Sequence, residues 1–434
     1  MRKILFILLI SILVTPFLRG QVRPMGINEL FRICDENSKE LKLSDIRVQE
    51  AEQGVKVAKS NWSPTLDLSV SASYLGSGVV MDRDFSNPIN ADIPPFGNNL
   101  AIEASQVLYS GGAFTAQIKM AELGVQMADL ARSDNRQAQH FLMVSNYLEL
   151  YKLRNQARVY EKNIELTQKL LRDIRSKHSE GVVLKNDITR YELQLQNIQL
   201  GLVRVQNAIA ILNHNMVVTL GLPETTEIVP DTAFLSNLPL LVPESEWQAD
   251  ARESNNAIKL ANLSVKQSEQ KQKLVQSDMI PKIALFAANK LDGPVLIEVP
   301  SLNKNIDYWY AGVGITYSFS SLYKSNRKLK KSKFETEREK EQQRLVQDQI
   351  EIAVNAAFTQ FSESFSIYDT RSTGVILAQE NYEVVNKRYL NDLALITDML
   401  DATTSKLNAE LMLENAKANI FYNYFKLKQL TNSL

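Results

Sequence analysis

The segment NWSPTLDLSVSASYLG, residues 61–76, alternates strictly between apolar and polar side chains after its proline. The apolar positions are Leu66, Leu68, Val70, Ala72 and Tyr74, and the polar positions are Asp67, Ser69, Ser71 and Ser73. A period of two predicts a β-strand with one apolar face and one polar face. Two environments suit such a strand: a protein core with water outside, or lipid with a water-filled pore inside.

The N-terminus, MRKILFILLISILVTPFLRG, has the features of a secretory signal peptide. Arg2 and Lys3 precede an apolar stretch of about 11 residues, which is too short to span a membrane. Cleavage after Gly20 predicts residues 1–20 as the signal, although Leu18 fits the −3 position poorly and a neighbouring bond is the alternative. We therefore expect an exported protein.

The overall composition excludes several classes of protein. The 434 residues contain 49 Lys plus Arg and 49 Asp plus Glu, and this balance argues against a broad nucleic-acid-binding surface. The single cysteine, Cys34, cannot form an intrachain disulfide and is not placed to carry a lipoprotein signal. No apolar run after the signal has the length of a spanning helix, so entry into a membrane would require a β-barrel.

Two pairs of segments indicate an internal duplication. The pairs are WSPTLDLSVSASYLGSG (62–78) with MIPKIALFAANKLDGP (279–294), and GVVLKNDITRYELQLQNIQL (181–200) with DLALITDMLDATTSKLNAEL (392–411). Their common offset, about half of the mature chain, is too long for a solenoid repeat. We predict a first structural repeat over 21–221, a proline-rich irregular connector over 222–243, and a second repeat over 244–434.

Each repeat is predicted to contain a helix, two strands and two long helices. The predicted strands are 65–75, 99–109, 283–291 and 308–319, and the predicted long helices are 113–178, 184–220, 321–389 and 395–430. Apolar residues from Leu184 to Met216 recur at alternating steps of four and three, which is the heptad seam of a coiled coil. The helices alone are equally compatible with a long soluble coiled coil.

The strands favour a membrane over a protein core. Each has about 9–11 residues, the length that crosses a bilayer when tilted, and the last is aromatic at both ends, with Trp309 at one and Tyr317 and Phe319 at the other. Four strands cannot close a barrel, and open edges in lipid leave backbone groups unpaired. Three copies would supply about twelve strands, within the known range of barrels. The alternative is a four-stranded soluble sheet that caps a coiled coil.

Several motifs, in order along both repeats, resemble the TolC-like outer-membrane efflux family. They are the block RYLNDLALITDMLDATTSKLNAELMLENAKANIFYNYFKLKQL (388–430), GVVLKNDITRYELQL (181–195), LYSGG (108–112) and LGLP (220–223). The resemblance implies a mainly α chain with membrane β: long antiparallel coiled-coil helices form an α-barrel across the periplasm, and four strands per chain contribute to a trimeric twelve-stranded transmembrane β-barrel. It further implies a passive exit duct in outer-membrane lipid. A periplasmic adaptor (membrane fusion) protein and an inner-membrane transporter would open this homotrimer for efflux or type I secretion.

The same resemblance assigns candidate gate residues. Asp398 and Asp401 match the acidic pair at the periplasmic constriction, and Asp187 and Tyr389 match gate-contact positions. Asp392, with Ala394, stands where the family usually has glycine and a basic residue, so we expect either different partners in the closing network of this gate or a weaker network.

The acidic pair also has a meaning that is independent of the resemblance. Asp398 and Asp401 are spaced i, i+3 and share a helix face, so three copies would form a six-carboxylate ring that favours cations. The alternative is a solvated helix start whose acids interact favourably with the helix dipole.

No catalytic or cofactor-binding constellation is recognisable. His140, His178 and His214 are scattered, and LYSGGAF lacks the lysine of a phosphate loop. We expect no enzyme activity, no cofactor and no metal centre. The rival hypothesis is a periplasmic coiled-coil adaptor or scaffold protein.

Overall fold

The computed structural model describes residues 22–231, 233–296, 301–391 and 393–434. The predicted signal peptide, 1–20, and the candidate gate residue Asp392 lie outside the described residues.

Helices dominate the chain. They are α1 (Ile27–Asn37), α2 (Lys39–Ser60), α3 (Ala113–Ser179), α4 (Lys185–Thr219), α5 (Glu244–Ser254), α6 (Asn256–Ser277), α7 (Ser321–Leu390) and α8 (Ile396–Leu430). The strands are β1 (Val22–Met25), β2 (Thr65–Tyr74), β3 (Gly78–Val80), β4 (Ile89–Ala91), β5 (Phe96–Tyr109), β6 (Glu227–Pro230), β7 (Lys282–Gly293) and β8 (Ile306–Thr316). Within the described residues, no helix combines the length and apolarity needed to cross a membrane.

Helix α3, 67 residues long, ends at a glycine rather than at a proline. Gly181 adopts φ +79°, and the amide of Val182 donates to the carbonyl oxygen of Lys177 at 3.0 Å. A left-handed glycine with this return hydrogen bond satisfies carbonyl groups that the helix end leaves unpaired. The chain can therefore reverse sharply into α4.

The chain divides into two compact units that do not coincide with the sequence repeats. One comprises the described residues up to Asp45 together with Ala131–Ile258 and Val346–Leu434, and the other comprises Ile46–Leu130 and Lys259–Leu345. Each unit therefore contains parts of both predicted repeats.

The core of the first unit includes a small parallel β-pair that the sequence analysis missed. Strand β1 pairs with β6 in parallel, and the hydroxyl of the buried Tyr147 donates to the carbonyl oxygens of Met25 and Asp231 at 2.8 and 3.1 Å. The expectation of an irregular connector over 222–243 is wrong at β6. The four residues of this strand carry no recognisable alternation, and their partner lies about two hundred residues away.

The second unit contains a four-stranded antiparallel sheet in the order β2-β5-β7-β8. Residue pairing places Leu68 opposite Ile102 and Asp67 opposite Glu103, so the alternation of the opening segment continues across neighbouring strands. Among the described strands, β2 and β8 form the two edges of this sheet.

The apolar face of β2 is uncovered. Leu66, Leu68 and Val70 are 73%, 67% and 71% exposed. A soluble sheet packed on its own core would bury these side chains, since each would gain from leaving water. The alternative of a four-stranded soluble cap therefore fails for this strand.

The opposite face carries polar pairs and an aromatic ring. Lys290 and Glu103 form an ion pair at 2.8 Å, which accounts for a charged residue inside a membrane-length strand. The ring of Phe286 covers Gly312 and Gly314, where an added Cβ at Gly312 would lie only 2.8 Å from the ring. Glycine in β8 therefore makes room for a cross-strand aromatic side chain.

The end of β8 corrects one detail of the sequence analysis. The predicted strand 308–319 ends at Thr316, so Tyr317 and Phe319 follow the strand instead of closing its apolar face. Their rings pack edge to face with centroids 5.2 Å apart. The aromatic residues therefore mark the junction between strand and helix.

Candidate functional site

The candidate gate residues that the structure describes, Asp187, Tyr389, Asp398 and Asp401, lie where four long helices end or begin in the first unit. The end of α3, the start of α4, the end of α7 and the start of α8 are called the helix tips here. A hydrophobic cluster, the tip cluster, joins them. Its buried members are Leu170, Leu171, Ile174, Tyr191, Tyr389 and Met399. Burial of these side chains supplies the main stabilisation of the helix tips.

Asp187 and Asp398 occupy equivalent capping positions in the two repeats. The carboxylate of Asp187 accepts the backbone N–H of Leu184 at 3.3 Å, and that of Asp398 accepts the N–H of Leu395 at 3.0 Å. Each bond is one half of a capping box and satisfies an amide at a helix start. Asp187 and Asp398 therefore stabilise the helix starts through hydrogen bonds, in addition to carrying negative charge.

Asp401 has a different environment. Its side chain is exposed, one helical turn from the exposed Asp398. Within the described residues, no hydrogen bond or ion pair is found for its carboxylate. Asp401 is thus the acid of the pair whose charge is not used for capping.

Tyr389 is only 5% exposed and packs in the tip cluster with Tyr191 and Met399. The ammonium of Lys177, in the last turn of α3, lies 5.1 Å from the centroid of the Tyr389 ring. The same ammonium donates to the carbonyl oxygens of Tyr389 and Leu390 at 3.2 and 3.4 Å. Lys177 therefore caps the C-terminus of α7 from another helix.

Lys177 was not among the gate residues predicted from the sequence. A basic residue in the last turn of a helix is a usual partner for the carbonyl groups of its own helix. Nothing in the spacing of residues indicates that this lysine instead reaches the carbonyl groups of α7, more than two hundred residues along the chain.

A second lysine near the tips is buried. Lys406 in α8 is 5% exposed, and its ammonium lies 4.5 Å from the centroid of the Tyr382 ring in α7. Burial lowers the pKa of Lys406, and the nearby Glu410 and Glu383 oppose that shift. The cation–π contact joins α7 to α8.

Polar side chains set the register between α8 and the helices of the first repeat. Gln194 bonds to Thr404 at 3.3 Å, and Asn163 donates to Glu410 at 3.0 Å. Further along, Asn155 donates to Glu414 at 2.7 Å. Because each partly buried polar group needs a partner, sliding α8 along its neighbours would break several bonds together.

Ala394 is one of the two positions where the sequence departs from the glycine and basic residue expected at the gate, and the structure shows what surrounds it. Ala394 packs against the tip cluster, and the guanidinium of Arg388 donates to the carbonyl oxygen of Leu393 at 3.3 Å.

In the described part of the chain, no three His, Cys, Asp or Glu side chains gather in a way that would hold a metal ion.

Comparison with known proteins finds similarity to outer membrane efflux proteins. Residues 32–221 match the family model described as outer membrane efflux protein. A curated relative, the outer membrane efflux protein BepC of Brucella suis biovar 1 (strain 1330), is 20% identical over 404 residues, which cover 92% of this chain and 83% of BepC.

Solved structures share the fold along nearly the whole chain. VceC of Vibrio cholerae, an outer membrane protein, superposes with a TM-score of 0.76 at 16% identity, covering 94% of this chain and 96% of VceC. The CmeC outer membrane channel of Campylobacter jejuni gives 0.73 at 14% identity, with 94% and 85% covered. The open-state MtrE outer membrane channel of Neisseria gonorrhoeae gives 0.67 at 16% identity, with 94% and 88% covered.

Proposed function

Since the chain is a TolC-like outer-membrane efflux protein, with its strands in the outer membrane and its long helices in the periplasm, we propose that it is a passive exit duct of a tripartite efflux or type I secretion system. Three copies assemble into one channel. A periplasmic adaptor and an inner-membrane transporter dock on it and supply the energy, so the chain itself performs no chemistry.

The observation that carries the proposal is the two-faced sheet. Apolar side chains such as Leu68 stand uncovered on one face, and polar and charged ones such as Asp67, Glu103 and Lys290 lie on the other. Lipid suits the first face, and a hydrated lumen suits the second.

The edges of the sheet support a trimer. In hydrocarbon, the free N–H and C=O groups of β2 and β8 would cost several kcal/mol each if they were left unpaired. Pairing β2 of one copy with β8 of the next removes both edges, and three copies close a barrel of about twelve strands with a wet interior.

The helix tips form the gate in this proposal. Asp398 and Asp401 of three copies make an acidic ring that favours cations, with Asp187 at the start of α4 and Tyr389 in the tip cluster. Docking of the adaptor and transporter opens the tips.

Cell fractionation tests this function against the rival, a periplasmic adaptor or scaffold. We expect a heat-stable trimer in detergent-extracted outer membrane, and the purified trimer should form pores in planar lipid bilayers. Release of the chain by osmotic shock, with no pore activity, would support the scaffold instead.

A further inference from the structure

A cavity of about 280 Å³ lies in the second unit where α6 ends, β7 begins, β8 ends and α7 begins. Its lining is rich in hydroxyl groups, from Thr316, Ser318, Ser320, Ser321 and Ser325. Three lysines, Lys282, Lys324 and Lys328, complete the rim with one carboxylate, Asp278. The gate described above uses none of these residues.

The charge of this cavity is positive. Three ammonium groups face one carboxylate, and Asp278 is already 3.7 Å from Lys328. Hydroxyl donors combined with ammonium groups form the strong, charge-assisted hydrogen bonds that phosphate oxygens accept.

Ser321 provides an independent sign that a ligand belongs here. It is the first residue of α7 and only 8% exposed, and among the described residues its Oγ has no hydrogen-bond partner. A buried hydroxyl without a partner is costly, and the start of a 70-residue helix carries partial positive charge. An anion in the cavity would satisfy both groups.

The register of the sheet indicates the side from which this anion arrives. Lys282 pairs with Thr316 and shares its face of β7 with Lys290, whose ion pair with Glu103 lies on the polar face. The cavity therefore adjoins the face assigned to the water-filled lumen, not the apolar face assigned to lipid.

We propose that this cavity is a binding site for a water-borne phosphate group, either inorganic phosphate or a phosphate ester, at the lumenal wall where strands give way to helices. The lumenal location rests on the barrel assembly proposed above. Three copies would place three such sites around the pore, so phosphate-bearing anions are a class of cargo or pore ligand for this channel.

Equilibrium dialysis of the purified full-length protein against radiolabelled inorganic phosphate tests the proposal. We expect one phosphate per chain, and the triple variant K282Q/K324Q/K328Q should weaken binding by about tenfold or more, since it removes every ammonium partner. The matched control K273Q/K333Q/K340Q removes three exposed lysines outside the cavity and should bind as the parent does.

Two single serine variants keep the proposal testable if the triple variant fails to fold. S321A removes the unpartnered hydroxyl and should weaken phosphate binding, whereas S332A removes a buried hydroxyl already bonded to the carbonyl oxygen of Leu329 at 2.9 Å and should not. Equal binding by S321A and S332A, or equal losses in the two lysine triples, would overturn the proposal.

A parallel binding experiment with a phospholipid distinguishes the source of the phosphate group. If phosphatidylglycerol in mixed micelles is retained in a way that depends on Lys282, Lys324 and Lys328 while inorganic phosphate is not, the site holds a lipid headgroup and the lumenal proposal is wrong. Pore conductance, recorded separately, shows whether the proposed channel function stands when phosphate binding fails.

Discussion

The four-stranded sheet and the helix tips place their apolar and charged residues in opposite ways. In the sheet, apolar side chains such as Leu68 are largely exposed, and charges such as Lys290 are paired on the other face. At the tips, apolar side chains such as Tyr389 are buried together, and acids such as Asp401 remain exposed. In the proposed channel, the medium outside each region accounts for the difference: lipid for the sheet and water for the tips.

The substitution Leu68→Lys should break the sheet half of this comparison and have the largest effect. A lysine facing lipid near the middle of a strand costs about 2–4 kcal/mol, and assembly would incur that cost in every copy. We expect loss of the heat-stable trimer from the outer membrane, measured by fractionation and heat-shift electrophoresis.

The matched control is Ser69→Lys, one residue along on the polar face. It should assemble normally because its ammonium reaches the hydrated lumen. If both variants assemble equally well, the two faces of β2 have been assigned to the wrong media.

The substitution Lys177→Met sharpens the description of the tips and should have an intermediate effect. It removes the cap on the last carbonyl groups of α7, and hydrogen bonds to charged groups contribute about 1.5–3 kcal/mol. We expect more frequent spontaneous opening in single-channel recordings.

Lys169→Met serves as the control because Lys169 is an exposed lysine of the same helix, two turns earlier. Opening frequencies that are the same in both variants and in the parent would show that Lys177 does not hold the tips together.

The acidic pair should give the smallest effect, confined to ion preference. Asp398→Asn keeps an oxygen that can accept the Leu395 N–H, so it removes charge while retaining the cap, and Asp401→Ala removes a charge that caps nothing. Both should reduce cation selectivity in planar bilayers without changing the thermal stability of the trimer.

Asp398→Ala separates the two roles of this residue. It should lose selectivity and also about 0.5–1.5 kcal/mol of helix stability, since the hydrogen bond from the Leu395 N–H is gone. If ion preference is unchanged in all three variants, the acidic ring does not exist.

Much of the architecture was predictable because its signals are local. The long helices begin and end within about one residue of the predicted bounds, since a heptad seam and a few glycines define them. The β1–β6 pair was missed because four residues without alternation pair across most of the first repeat.

The candidate site was less predictable because its contacts join segments that are far apart in the sequence. A position of Asp398 near a helix start was kept as an alternative from the sequence, but on the ground of the helix dipole, and its hydrogen bond to the Leu395 N–H was not predicted. The burial of Tyr389, the reach of Lys177 to α7 and the contact between Lys406 and Tyr382 all depend on which helices lie side by side.

The sequence by itself determined the periodicities: two-faced strands of membrane length, heptad helices and their duplication. Those patterns arise from the geometry of single elements, which repeat every 2 or about 3.6 residues. Only the tertiary structure decided which side chains meet across elements, including the capping lysine of α3 and the hydroxyl-lined cavity at the start of α7. Contacts between distant segments depend on packing, and no spacing within one segment encodes them.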